Sequence, residues 1–419
     1  MNKVLIPELR FPEFNFERDW KVKELSELGD LINGLTYSPD DVREEGLLVL
    51  RSSNVQNGLI NLNDRVYVRK DINGANLSEP NDILICVRNG SKNLIGKNAI
   101  IPKDLHFVTH GAFMTVFRAK NSEFVFQLFQ TDMYDKQVKA DLGATINSIN
   151  GKNFLKYEFP VPENPKEQQK IADCLSSLDE VITAHSQKLD LLKDHKKGLM
   201  QNLFPQEGET VPKYRFPEFE KDGEWLEKTL GNCLLLNPEY GINAPAVPFS
   251  NKLPTYLRIT DISEDGRFLS ENKVSVDRDI NENNYLADGD IVFARTGASV
   301  GKSYKYRIND GRLVFAGFLI RVKPDKNKLV SEFLFQFLST HQYWKWVSFI
   351  SARSGQPGIN GTEYSTMPLS LPPTLVEQRK IASCFSTCDE LITEQTAKIE
   401  HLRQHKKGLM QGLFPKIND

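Results

Sequence analysis

Residues 167–205 read EQQKIADCLSSLDEVITAHSQKLDLLKDHKKGLMQNLFP, and residues 377–415 read EQRKIASCFSTCDELITEQTAKIEHLRQHKKGLMQGLFP. The two segments align without a gap at an offset of 210, with about 23 of 39 positions identical. Self-similarity of that length marks a tandem duplication, so the chain is expected to fold as two like halves. Weaker echoes support this: RFPEF at Arg10 and Arg215, Trp20 and Trp225, Ser122-Glu123-Phe124 and Ser331-Glu332-Phe333, Asp82-Ile83 and Asp290-Ile291, Ile149-Asn150-Gly151 and Ile359-Asn360-Gly361. Between these anchors the halves differ freely.

The near-identical segments have helical periodicity. Apolar residues of the first fall at Ile171, Leu175, Leu178, Ile182, Leu189, Leu192, Leu199 and Leu203, and His185 and Lys196 complete an unbroken 4,3,4,3 spacing. That is the heptad seam of a coiled coil. The second copy gives Ile381, Phe385, Cys388, Ile392, Ile399, Leu402, Leu409 and Leu413, interrupted at the matching places by Gln395 and Lys406. Asn164-Pro165 with Glu167, and Thr374 with Glu377, are capping signals, and Pro205 and Pro415 end the helices. At 1.5 Å per residue, about 38 residues span roughly 57 Å. Two such stripes are expected to bury each other, and an antiparallel pairing closes a duplicated chain with approximate two-fold symmetry. A generic helical hairpin bracing two domains would show the same heptads, which supply architecture and not function.

The diverged segments are rich in short β-like runs, at 47–50, 83–87, 99–101, 291–294 and 313–315, separated by Gly, Asn and Asp turns. One helix, near 122–135 and again near 331–347, is expected in each. The fold class is therefore α+β: two copies of one α/β domain separated by two long antiparallel helices. The predicted boundaries are 1–163 for the first domain, 164–205 for the first helix, 206–225 for a linker, 226–373 for the second domain and 374–419 for the second helix.

Composition removes several classes. Of 419 residues, 40% are hydrophobic and 26% charged, as in ordinary soluble proteins, and no apolar run reaches the roughly 18 residues of a membrane span. Residues 1–16 lack a signal peptide's cationic start and apolar core, so a cytoplasmic location is expected. Five scattered cysteines argue against a disulfide framework and for reduced, small apolar residues. Two strings that resemble catalytic motifs fail on spacing. Gly297 to Lys302 has three residues between its glycines where a nucleotide-binding loop needs four. Cys384 and Cys388 stand some 25 Å along a helix from His401 and His405, too far to share one metal. Asn237-Pro238-Glu239-Tyr240 resembles an amino-methyltransferase motif spoiled by Glu239, and no glycine-rich cofactor loop accompanies it. No catalytic residue, metal or cofactor is predicted.

What remains is polar turn chemistry after apolar strands, at matching places in both halves. The first half offers Arg51 and Asn54, then Arg88, Asn89, Ser91 and Lys92; the second offers Arg258 and Asp261, then Arg295, Thr296, Ser299 and Lys302. Arg can fork onto guanine, Asn onto adenine, and Ser, Thr and Lys can hold phosphates. A net charge of −2 is unusual for a chain that grips phosphates, so positive charge must be focused on one face or partly supplied by a partner.

The alternation of diverged domain and constant helix resembles the specificity subunit of type I restriction–modification systems. The resemblance covers nearly the whole chain and rests on the EQxKIA helix starts (167–172, 377–382), the HKKGLMQxLFP ends (195–205, 405–415) and the RFPEF…W segments (10–20, 215–225). It implies two target-recognition domains, each reading one half of an interrupted site in double-stranded DNA. It also implies helices that act as spacer and as docking surface for two modification subunits that methylate adenine, with separate restriction subunits for ATP-driven translocation and cleavage. A separator of about 57 Å covers roughly 17 base pairs, which fits two short half-sites and an unread gap. Divergence between the domains implies an asymmetric target. A specificity subunit of another multisubunit restriction system, and a coiled-coil scaffold that binds no DNA, remain the alternatives.

Overall fold

Both heptad segments fold as single helices, Pro165–Leu203 and Leu375–Leu413, in a computed structural model that describes residues 5–142, 147–352 and 355–416. Of the predicted seam, Ile171, Leu175, Ile381, Phe385 and Ile399 are buried, and Leu178, Ile182, Leu189, Leu192, Ile392 and Leu402 are half-buried. Residues on the outer faces, such as Lys188, Asp190, Lys398 and Glu400, are exposed.

The chain divides into two units, Met1–Ser186 with Ala397–Asp419, and Gln187–Thr396. In the first, the start of one long helix and the end of the other close a single core: Ile171, Ala172 and Leu175 meet Met410, Leu413 and Phe414, together with Trp20 and Phe124. The Phe414 ring lies 6.2 Å from Trp20 and 6.0 Å from Phe124. In the second unit the roles are exchanged. Leu203 and Phe204 end the first helix against Ile381, Ala382 and Phe385 at the start of the second, with Phe204 6.2 Å from Trp225 and 5.3 Å from Phe333. The LFP endings are thus aromatic plugs in the domain cores.

The lysines that interrupt the apolar seam are matched by acids. Lys406 Nζ lies 2.7 Å from Asp179 in the first unit, and Lys196 Nζ lies 2.7 Å from Asp389 in the second. Each aspartate also accepts from a domain glutamine, Gln127 at 3.1 Å and Gln336 at 3.0 Å. Lys196 lies seventeen positions after Asp179, and Lys406 seventeen after Asp389, so both pairs obey one antiparallel register.

The helix starts correct the sequence reading. Asn164 Oδ1 and Thr374 Oγ1 do cap, accepting from Lys166 N and Glu377 N. Glu167 and Glu377, however, do not reach back as capping-box partners. Both are buried, and each carboxylate takes two bonds at 2.8 Å from an arginine, Arg10 or Arg215, and one from an indole N–H, Trp20 at 3.2 Å or Trp225 at 3.3 Å. The RFPEF…W segments exist to neutralise those two buried charges and so lash each domain to its helix. Their carboxylate partners hold both guanidinium pKa values above the ordinary arginine value, with burial opposing.

Among the described residues each domain carries two four-stranded sheets and a two-stranded ribbon, and the first adds a second ribbon, Val55–Gln56 with Leu59–Ile60. In the first unit, Lys21–Glu24 pairs with Glu158–Val161. One sheet runs Gly29–Asn33, Met114–Ala119, Ile83–Cys86, Asn98–Ile100; the other runs Val108–His110, Leu47–Leu50, Tyr67–Val68, Val42–Arg43. The second unit repeats the first sheet as Glu239–Tyr240, Leu319–Val322, Ile291–Ala294, Ser303–Lys305. In both, one strand pair is parallel, Leu47–Leu50 with Val108–His110 and Thr255–Leu257 with Leu313–Phe315. The one helix expected near 122–135 is two, Ser122–Leu128 and Asp132–Asp141, and its counterpart divides into Ser331–Phe337 and His341–Ile350. The break falls where Thr131 and Thr340, each within a short polar stretch (130–132 and 339–342), turn their hydroxyls to cap the next helix.

The segment from Gly297 to Lys302 has a structural use. Gly301 sits at φ +86° and Gly96 at +87°, a conformation that suits glycine, and each offers its carbonyl to a buried tyrosine, Tyr343 or Tyr134. All five cysteines are free thiols, Cys174 and Cys384 only half-buried. Among the described residues no cluster could hold a metal, and no helix is long and apolar enough to cross a membrane.

Because Phe414 plugs the first domain, Phe414→Ala is expected to destabilise that unit by about 3–5 kcal/mol although it lies near the end of the chain. Hydrogen exchange checks this: protection should fall across residues 20–175 and stay unchanged across 226–371. Equal loss in both regions would contradict the assignment of cores.

Candidate nucleic-acid interface

Parallel strands place their C-terminal ends on the same side of a sheet, and in each unit that is where the arginine-bearing turns emerge. In the first unit, Leu47–Leu50 leads into Arg51, Val108–His110 leads into Gly111, and Gly111 N donates to Leu50 O at 2.9 Å. The strand Ile83–Cys86 of the neighbouring sheet ends beside them, with Arg88 N donating to Phe113 O at 3.1 Å. A side-chain bond from Asn89 Nδ2 to Ser52 Oγ at 3.3 Å ties the two arginine turns together. The second unit repeats the scaffold: Ala316 N donates to Leu257 O at 2.9 Å and Arg295 N to Phe318 O at 3.1 Å. Three turns therefore converge on one edge in each domain.

The predicted contact residues separate by environment. Arg88, Ser91 and Lys92 are exposed, and the Arg88 guanidinium lies 5.8 Å from the Phe113 ring. Asn89, Arg295, Thr296 and Ser299 are half-buried, with Arg295 5.0 Å from the Tyr240 ring. Stacking of this kind holds a guanidinium plane in place while its fork of N–H donors stays available. Arg51 pairs with Asp64 at 2.6 Å, and Lys302 with Glu264 at 2.7 Å, so both must exchange an acid partner to meet a phosphate. Arg258 is held twice by Asp261, and that bonding raises its pKa against the opposing effect of burial.

Two of the twelve candidates do other work. Asn54 is fully buried: its Oδ1 accepts from Arg51 N at 2.8 Å, and its amide donates to Asn61 O and Asp64 O at 2.9 and 2.6 Å. Asp261 is buried too, accepting from Arg258 N at 2.9 Å in the matching turn. Both shape the arginine turn and neither offers an edge to a base.

Comparison with known proteins decides the family. The model of the type I restriction modification DNA specificity domain matches residues 17–194 and 250–402. The chain belongs to that family. It is similar to the EcoKI specificity subunit of Escherichia coli strain K12, 25% identical over 416 residues that cover 92% of this chain and 87% of the relative. It is likewise similar to the StySPI specificity subunit of Salmonella potsdam, 25% identical over 440 residues covering 99% and 90%. In fold it matches the crystal structure of the S subunit of a type I restriction–modification system from M. genitalium, with a TM-score of 0.66, 16% identity and coverage of 99% and 100%. It is thus a specificity subunit, the DNA-recognising and non-catalytic member of a type I restriction–modification complex.

Sequence reasoning on the specificity subunit missed Phe113, Phe318 and Tyr240, which share the edge with the arginines and are 57%, 61% and 50% exposed. A signal existed, since Gly-Ala-Phe at 111–113 and Ala-Gly-Phe at 316–318 recur at an offset of 205. Substitution should separate the two kinds of edge residue. Asn54→Ala is expected to lower stability by about 1–3 kcal/mol, because it leaves buried backbone partners unmet. Arg88→Ala and Arg295→Ala should keep the melting temperature and weaken binding to the target duplex roughly 5- to 150-fold. Melting curves and gel shifts with the modification subunits present would show the reverse ranking if the edge were structural.

Proposed function

We propose that each of these two edges reads one half of an asymmetric, interrupted duplex site, and that the long helices set the gap between the halves. Support comes mainly from a shared scaffold with unlike residues on it. The same three turns converge in both units, yet the turn RNGSKNLIG at 88–96 is answered by the shorter RTGASVG at 295–301, with Asn89 where the other has Thr296 and Ser91 where it has Ala298. Like backbones bearing different donors should select different bases. The first domain is taken as 1–163 and the second as 226–373, with helices at 164–205 and 374–419 and a linker between. Two modification subunits, which dock on the helices, would methylate adenine in the site, and restriction subunits would cut unmodified DNA. Those partners would also supply part of the grip on phosphate that a chain of net charge −2 lacks.

The antiparallel register dictates where the helices can be lengthened together. An insertion in one helix alone would bulge, because its partner keeps the old length. One heptad added within 186–192 and one within 393–399 preserves both seams and lengthens the pair by about 10 Å, near three base pairs. In cells making this variant with its modification subunits, N6-methyladenine mapping should find the same half-sites with a gap longer by about three base pairs. An unchanged gap would overturn the ruler.

A further inference from the structure

We propose that Phe113 and Phe318 are wedges that insert into one base step in each half-site of the duplex this subunit reads; the proposal rests on the DNA-reading function above. Phe113 is third in a tight turn closed by Met114 N donating to Gly111 O at 2.8 Å, and Phe318 occupies the same place in a turn closed by Leu319 N donating to Ala316 O at 2.8 Å. Such positions ordinarily take Gly, Asn, Asp or Ser, which suit a turn and keep the surface polar. Here both halves place a large ring there, 57% and 61% exposed, while most residues around it differ between them. Other exposed phenylalanines, among them Phe16, Phe107 and Phe349, have no phenylalanine at the matching place of the other half.

The rings are also held ready. The Phe113 carbonyl accepts from Val87 N at 3.0 Å and Arg88 N at 3.1 Å, and the Phe318 carbonyl accepts from Arg295 N at 3.1 Å. The backbone of each wedge is thereby fixed beside the arginine of its own edge. Ala112 and Gly317 precede the rings and add little bulk, so the turn can come close to a stack of bases. An apolar side chain projecting from a rigid turn, with a cation next to it for the phosphate or the base edge, matches the way duplex steps are opened by insertion. Protein docking would ask instead for an apolar surface extending beyond the ring, whereas the neighbours Arg88, Ser91 and Lys92 are polar and exposed.

The test uses the complex of this chain with its modification subunits and a duplex of the mapped site, with 2-aminopurine placed at each position in turn. The wild-type complex should raise fluorescence at one step in each half-site. Phe113→Ala should abolish the rise in the first domain's half-site alone, and Phe318→Ala that in the other, each with about a tenfold loss of affinity or more. Phe113→Leu should keep the rise, because leucine also serves as a wedge. Any rise from a target adenine extruded for methylation should survive all three substitutions. Alanine variants that keep every rise and bind within twofold of wild type would overturn the wedges and leave DNA reading intact. Variants that fail to assemble with modification subunits would overturn them too, marking the rings as protein contacts. A wild-type complex without sequence-dependent binding would overturn both the wedges and the reading beneath them.

Discussion

A lysine can stand in an apolar helix seam only where a carboxylate meets it, and that requirement fixes the pairing on which this molecule depends. Lys406 finds Asp179 and Lys196 finds Asp389, each within its own unit and each supported by a domain glutamine. A slip of either helix by a single residue would strand a half-buried cation and its acid together. With the register set, Phe414 and Phe204 arrive in the two domain cores, and each core is closed by the start of one helix and the end of the other. Glu167 and Glu377, neutralised by Arg10 with Trp20 and by Arg215 with Trp225, then bind each domain to the helix that follows it.

That constancy is what permits variation at the edges. The turns 88–96 and 295–301 differ in length and in side chains, while the turns beside them are held by the same backbone hydrogen bonds, Gly111 to Leu50 and Ala316 to Leu257. A turn held by its backbone can change side chains without disturbing the sheet behind it. Arg88 lies against Phe113 whereas Arg295 lies against Tyr240, so equivalent guanidinium groups are aimed by different rings. Cations such as Arg51, Arg258 and Lys302 are balanced locally by Asp64, Asp261 and Glu264.

What could be read from sequence was what local periodicity and repetition encode. The heptads marked both long helices and their seam, and the repeated segments marked the duplication. Contacts between distant residues were invisible: nothing in RFPEF announces that Arg10 meets a carboxylate 157 residues away. Asn54 and Asp261 were chosen for their hydrogen-bonding groups, but the loop that consumes Asn54's donors, at Asn61 and Asp64, could not be placed beforehand. A phenylalanine leading into the apolar strand Met114–Ala119 reads as core, which conceals the exposed ring of Phe113. The helix break at Thr131 is likewise hard to read, since a threonine can stand within a helix as well as cap one and its role here depends on backbone geometry.

The central claim is that two like scaffolds, differing in their edge residues, read two different half-sites. It is tested most directly by replacing residues 226–373 with a second copy of 21–163, keeping both long helices, and mapping N6-methyladenine in cells that make the modification subunits. The account predicts that the asymmetric motif of the natural chain gives way to a symmetric one, two inverted copies of the first half-site across an unread gap. A motif that stays asymmetric, with its second half unchanged, would contradict it.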